Sequence, residues 1–307
     1  MSQIVVIGSI NMDIVNRVNR HPLPGETMKG LKTEFNPGGK GANQAISASR
    51  AGGLVTMVCA LGNDSFSSEL LETLKTEGIS SDYIVTKPSN SGLALITVDR
   101  NGENSIILEE GANGLLHKDD IKNVLPEVLK NADLILLQNE IPWETTIYVI
   151  EQADKLGVPV FFNPAPAIEV PTGVLDKLSG LFVNETETEV ITGIHVTDPT
   201  SAEKAADLLL EEGVQEVIIT LGKQGSYFKN SSGVRIYTPA FTVQAIDTTA
   251  AGDTFIGAYV VAKSSGSTIE DSLAFATAAS ALTVSKEGAL KSIPIKNEVL
   301  EFLRVRV

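Results

Sequence analysis

From Asp119 onward the chain alternates short apolar runs with helix-like segments, and this alternation limits the possible folds more than any other feature. Residues 134–138, 159–162, 181–183 and 217–221 are short, largely apolar, strand-like runs, with helical patterns over 145–156 and 201–212. Strands covered on both faces read as unbroken apolar runs, and parallel neighbours need right-handed crossovers. The pattern predicts an α/β fold, a central and mostly parallel sheet with helices on both faces. Residues 4–7 and 54–61 supply further buried strands, 65–77 a helix closed by Gly78, and 83–86 a short strand. A late hairpin at 227–228 and 234–237 precedes three helices: one from about Gly252, one over 267–286 and one over 297–303.

Two segments do not fit that rhythm. Residues 14–36 are interrupted by Pro22, Pro24, Gly25 and Gly30, with weak strand-like alternation over 27–35. Residues 92–99 and 104–109 read as strands joined at Asn101-Gly102, a hairpin signal. These segments, 14–36 and 92–110, are expected to form a small β-sheet lid. Residues 1–13, 37–91 and 111–307 would then make the α/β domain.

With 43% hydrophobic residues over 307 positions, the chain can bury one large core. A net charge of -14 argues against nucleic acid and anionic membrane, which need clustered Lys and Arg. It does not exclude a small anion held by local N–H groups, a lysine or a metal. The single cysteine, Cys59, lies in an apolar run and excludes an internal disulfide. No basic leader or long apolar segment stands out, so a cytoplasmic location is expected. His21, His117 and His195 show no metal-ligand spacing.

Residues 247–255 read D-T-T-A-A-G-D-T-F and run into the helix from Gly252. Small residues let backbone approach a ligand, and first-turn N–H groups with the helix dipole form an anion site. Asp253 in that turn is either a helix-stabilising charge or a general base beside a bound phosphoryl group. Residues 37–44 read P-G-G-K-G-A-N-Q, a glycine turn ahead of a small-residue helix over 42–51. This is not a P-loop, because Gly41 follows Lys40, and no G-x-G-x-x-G follows the first strand. Asn11 and Asp13 stand there instead, either binding a polyol beyond the strand end or closing an Asx turn. Glu140, Asn163, Asn184 with Glu187, and Gly222 with Gly225 also follow strands. Each could be a loop residue; together they would line one sheet edge, where a ligand crevice belongs.

On the segments 37–44 and 247–255, with the N-x-x-E motif at Asn184 to Glu187, the chain resembles the ribokinase family of carbohydrate kinases over essentially its full length. The resemblance implies ATP-dependent phosphorylation of D-ribose at O5. Asn11, Asp13, Gly39, Lys40, Asn43 and Glu140 would grip the sugar with Asp253, which would be the general base. Ala250, Ala251 and Gly252 would form the anion hole. Asn184 would touch the nucleotide, Glu187 would hold Mg²⁺ through water, and Thr220, Gly222, Gly225 and Gly252 would lie along the nucleotide. Thr277 falls near the adenine, where many relatives carry His or Asn. A monovalent cation, K⁺, is implied near Asp247, Thr249, Thr283, Lys286, Gly288 and Ser292, mostly through backbone carbonyls. A homodimer through the lid is implied as well. Kinases acting on deoxyribose, fructose, pseudouridine or adenosine remain alternatives, as does a sugar sensor without turnover.

Overall fold

The structure, a computed structural model, describes residues 2–306. Its strands are β1 (Gln3–Ile7), β2 (Asn11–Arg17), β3 (Lys32–Gly38), β4 (Leu54–Leu61), β5 (Ser80–Thr86), β6 (Gly92–Val98), β7 (Asn104–Glu109), β8 (Leu134–Gln138), β9 (Val160–Asn163), β10 (Gly180–Asn184), β11 (Glu216–Thr220), β12 (Gly225–Asn230) and β13 (Arg235–Pro239). Among the described residues nine of them form one sheet, ordered β13-β12-β11-β10-β9-β8-β1-β4-β5. All pairs from β11 to β5 are parallel, and β12 and β13 close one edge antiparallel.

The apolar strand runs are explained by burial on two sides. Ile4, Val6, Leu136 and Phe161 point into a core with Ile46, Phe255 and Tyr259, from the helices Lys40–Arg50 and Ala251–Ser264. Their neighbours Val5, Ile7, Leu137 and Phe162 point to the other face, against Val149, Ile150 and Leu209 of the helices Trp143–Leu156 and Pro199–Glu211. A period-two strand thus serves two helical layers. The chain lays β4 and β5 on one side of β1 and β8 to β11 on the other. The order therefore reverses between β1 and β8, where an open sheet leaves a crevice at its carboxyl edge.

A second sheet, ordered β3-β2-β6-β7, stands apart from the first. Strand β2 pairs antiparallel with β3 and parallel with β6, and β6 and β7 form the expected hairpin. Two details differ from the sequence expectation. Asn11 and Asp13 are not in a turn after β1; they belong to β2, paired on both sides. The weak alternation over 27–35 is a strand only from Lys32, and that strand continues through Pro37 and Gly38 to the start of the next helix. In both places pairing partners from distant segments override local turn chemistry. Among the described residues, no helix is long and apolar enough to cross a membrane.

Candidate active site

The Lys40–Arg50 helix starts immediately after Gly39, whose φ of +90° suits glycine. A Cβ on Gly39 would also lie 3.0 Å from the Asn11 amide nitrogen. This close approach puts Lys40, Asn43 and Gln44 beside β2 and below the Ala251–Ser264 helix. Asn43 Nδ2 donates to Asp253 Oδ2 at 3.0 Å, and Gln44 Nε2 donates to Asp253 Oδ1 at 3.0 Å. Asn43 Oδ1 is buried and has no partner among the described residues. Glu140 Oε2 accepts from Ser9 Oγ at 2.5 Å and from the Lys40 amide at 3.0 Å. Asn11 is fixed from behind, its Oδ1 accepting from Asn113 Nδ2 at 2.7 Å.

Asp13, Glu140 and Asp253 thus bring three carboxyl groups together around Lys40. Burial raises Asp13 to about 7, with Glu140 and Asp253 adding repulsion. Burial also raises Glu140, against the opposing pull of Lys40 and Ser9. For Lys40 burial favours the neutral amine, but Asp253, Glu140 and Glu187 outweigh it and the pKa rises. A compact cation among acids, partly dehydrated, is a strong organiser of hydroxyl ligands.

Ala250 precedes the Ala251–Ser264 helix at φ +61°, the one non-glycine residue with positive φ among the described residues. The turn it makes presents the first-turn amides of Gly252 and Asp253, which no intrahelical carbonyl reaches. Gly252 has nothing within 4 Å of where a Cβ would be, so the protein itself does not require glycine there; the space is left in front of the helix. That space continues into a cleft of ≈ 540 Å³ bordered by Asn184, Thr220, Gly222, Gly225, Gly252 and Thr277. A smaller cavity of ≈ 220 Å³ joins Lys40, Asn184, Glu187, Gly252 and Asp253. Thr277 is on the cleft wall, but its hydroxyl donates to the Leu273 carbonyl at 2.7 Å, so it offers a ligand only lone pairs and a methyl group.

Asn184 and Glu187 form a reciprocal capping box on the helix Glu185–Thr192. Asn184 Oδ1 accepts from the Glu187 amide at 2.8 Å, and Glu187 Oε2 accepts from the Asn184 amide at 3.0 Å. The motif therefore has a structural role of its own. Burial raises the Glu187 pKa despite these bonds and the nearby Lys40. Glu187 Oε1 also accepts from Asn184 Nδ2 at 3.0 Å and its Oε2 from Asn163 Nδ2 at 3.3 Å.

Of the six residues expected around a monovalent cation, Asp247 and Thr249 lie in the loop before the Ala251–Ser264 helix, Thr283 in the last turn of the helix Ile269–Val284, and Lys286, Gly288 and Ser292 in the loop after it. Asp247 joins the two loops: its Oδ1 accepts from Thr249 N (2.9 Å) and Thr249 Oγ1 (2.6 Å), its Oδ2 from the Gly288 amide (3.0 Å). Burial opposes the charge of Asp247, but these bonds prevail and its pKa is lowered. The hydroxyl of Thr283 turns inward, 3.1 Å from Thr254 Oγ1, and Ser292 Oγ donates to Ala289 at 2.7 Å. Lys286 Nζ reaches outward to Glu298. The Lys286 ammonium cannot ligate a cation, so that residue could contribute only its carbonyl, while the oxygen-rich loop around Asp247 suits a hard cation.

Gln44, Gln138, Ser9 and Asn113 also enter the site, although the sequence did not single them out. Gln44 was within reach, standing at the end of the P-G-G-K-G-A-N-Q segment; Asn113, at the start of a 3-10 turn far along the chain, gave no signal.

A nucleotide-sized cleft and a polar pocket that meet at one helix start are the architecture of a group-transfer enzyme with two substrates. Residues 1–296 match the pfkB family carbohydrate kinase model, and the chain belongs to that family. It is similar to the ribokinase of Haemophilus influenzae, 39% identical over 98% of each chain. It is also similar to the deoxyribokinase of Salmonella typhi, 35% identical over 98% of each. The solved structure of Arabidopsis thaliana ribokinase complexed with ribose and ATP superimposes with a TM-score of 0.90, at 33% identity and 99% coverage of both chains.

Proposed function

We propose that the protein phosphorylates D-ribose at O5 with ATP, giving D-ribose 5-phosphate and ADP. The observation that carries this reading is the position of Asp253. It sits in the first turn of a helix whose amides face the nucleotide-sized cleft, and its carboxylate is held by Asn43 on the side of the polar pocket. The ribose in the Arabidopsis complex and the ribokinase names among relatives support the sugar.

The sugar lies among Asn11, Asp13, Gly39, Lys40, Asn43 and Glu140, where the unpartnered Asn43 Oδ1 accepts a hydrogen bond from a sugar hydroxyl. The O5 hydroxyl approaches Asp253, which takes its proton as the bond to phosphorus forms. The amides of Gly252 and Asp253 meet the charge that spreads over the transferring oxygens, while the Ala251 amide, expected to join them, donates to the Thr248 carbonyl at 3.3 Å. Ala250 contributes the backbone turn that aims them. Asn184, Thr220, Gly222, Gly225 and Thr277 border the nucleotide. Glu187, with Asn184, would hold Mg²⁺ through its water shell, and the loops around Asp247, Thr249, Thr283, Lys286, Gly288 and Ser292 would hold K⁺. When bound, Mg²⁺ would neutralise phosphate charge and K⁺, away from the substrate, would steady the loop before Gly252.

The small sheet, with residues 14–36 and 92–110 as its outer parts, closes over the sugar and excludes water. One of its cross-strand rows, Phe35-Ile14-Leu95-Ile107, is apolar, and Phe35, Leu95 and Ile107 are exposed. Such a face supports pairing with the lid of a second copy.

The test is ADP release with MgATP against D-ribose, 2-deoxyribose, fructose, adenosine and pseudouridine, each with potassium and with potassium replaced by a large inert cation. Ribose-dependent turnover that falls without potassium is expected. The similarity to a deoxyribokinase makes 2-deoxyribose the informative competitor; preference for it would keep the chemistry and replace the substrate.

A further inference from the structure

We infer that Gln44 is a positioning residue that sets which oxygen of Asp253 faces the acceptor hydroxyl, an inference that rests on the base role proposed above. Gln44 is completely buried, and its amide lies between three polar partners. Nε2 donates to Asp253 Oδ1 at 3.0 Å and is 3.3 Å from Asn163 Oδ1, while Oε1 accepts from Gln138 Nε2 at 2.6 Å. Asn163 passes the arrangement on, its Nδ2 donating to the Phe182 carbonyl at 3.0 Å and to Glu187 Oε2 at 3.3 Å.

The direction of every amide follows from chemistry. A carboxylate only accepts, so Gln44 must turn its NH₂ toward Asp253. Its carbonyl then faces Gln138, which must present its own NH₂. Gln138 is the last residue of β8, at the sheet reversal, and a rigid strand end anchors it. A Cβ on Gly8 would lie 2.0 Å from Gln138 Oε1, so glycine at this position leaves room for the side chain.

The consequence is an asymmetric carboxylate. Oδ1 is tied to the sheet through Gln44 and Gln138, whereas Oδ2 meets only Asn43, which is itself a pocket residue. Oδ2 is then the oxygen offered to the hydroxyl, and Gln44 prevents the carboxylate from rotating. Misplacement of a reacting group by about 1 Å is enough to cost about 10²-fold in rate.

The experiment compares Gln44→Met, Gln44→Glu and Gln138→Met with wild type. Gln44→Met keeps length and loses the donor, so kcat should fall by about 10- to 100-fold with little change in the sugar KM. In Gln44→Glu a donor exists only when the introduced carboxyl is protonated, so kcat relative to wild type should rise up to about tenfold per pH unit on acidification. The Gln44→Met ratio should stay flat across the same range. A packing role alone would give no acid rescue, and a flat Gln44→Glu ratio overturns the inference, as does an unchanged kcat in Gln44→Met.

Absence of sugar-dependent turnover in the wild type would instead overturn the proposed function. Crystal structures of Gln44→Met and wild type then decide the positioning role without turnover: a rotated Asp253 carboxylate supports it, and an unmoved one refutes it. If Gln44→Met does not fold, Gln138→Met takes its place in both measurements, because it frees the Gln44 amide without touching Asp253.

Discussion

Ionisation of Asp13 should make the protein less stable as the pH rises, in a way that Asp13→Asn abolishes. Burial first, then Glu140 and Asp253, raise this carboxyl from 3.8 to about 7 in the folded chain. Because the folded pKa is the higher one, the folded state holds a proton that the unfolded state has already released. The stabilisation is complete below the unfolded value and is lost as the pH rises through the folded value. Moving a carboxyl across that interval corresponds to about 4 kcal/mol at about pH 8, but only about 1.7 kcal/mol at about pH 5. Asp13→Asn is neutral throughout, and any fixed cost of burying its amide is the same at both pH values. Urea unfolding of the two proteins without ligand should therefore show the variant gaining about 2 to 3 kcal/mol on wild type between about pH 5 and about pH 8. A difference that does not change with pH would refute the reasoning. It would mean that Lys40 compensates the charge of Asp13 fully, so that the three carboxyl groups do not compete.

Three further outcomes are expected. Asp253→Asn should lose about 10² to 10⁴ in kcat while still binding sugar, as read by sugar-dependent thermal stabilisation. Gly252→Ala places a methyl group in the open space before the helix; it should leave stability unchanged or raise it by up to about 1 kcal/mol and lower turnover by about 10², measured by melting and by ADP release. A Cβ on Gly92 would come within 2.2 Å of both Asn11 Oδ1 and Asn113 Nδ2. Gly92→Ala should therefore break that bond and raise the sugar KM by about tenfold, the worth of one hydrogen bond.

The parallel sheet was legible in the sequence because strands buried on two sides leave unbroken apolar runs such as 134–137, and nothing local competes with that signal. The helix start at Ala251 was legible for a similar reason, since small residues ahead of an apolar helix have few other uses. Strand β2 was not, because Asn11 and Asp13 read as turn formers until partners from Lys32–Gly38 and Gly92–Val98 pair with them. The links through Gln44, Gln138 and Asn163 were hidden for a different reason. Amides at such positions look like ordinary polar residues, and only the folded chain shows that they meet. Asn184 and Glu187 carried two signals at once, a helix cap and a ligand group, and the cap alone would have accounted for their spacing.

The polar pocket and the cleft draw on different parts of the chain. The proposed acceptor contacts all lie at or before Glu140, apart from Asp253, whereas those proposed for the donor begin at Asn184. They meet at the first turn of the Ala251–Ser264 helix and at the cavity where Lys40 borders Asn184 and Glu187. Inheritance can therefore alter one half with small effect on the other. New acceptors are open to such a lineage through substitutions in β2, β6 and the loop after β8, while the phosphoryl donor and its handling stay as they were. A chimera joined between residues 141 and 179 would exchange the acceptor side together with Lys40 and Gln44, which face Asp253 from it.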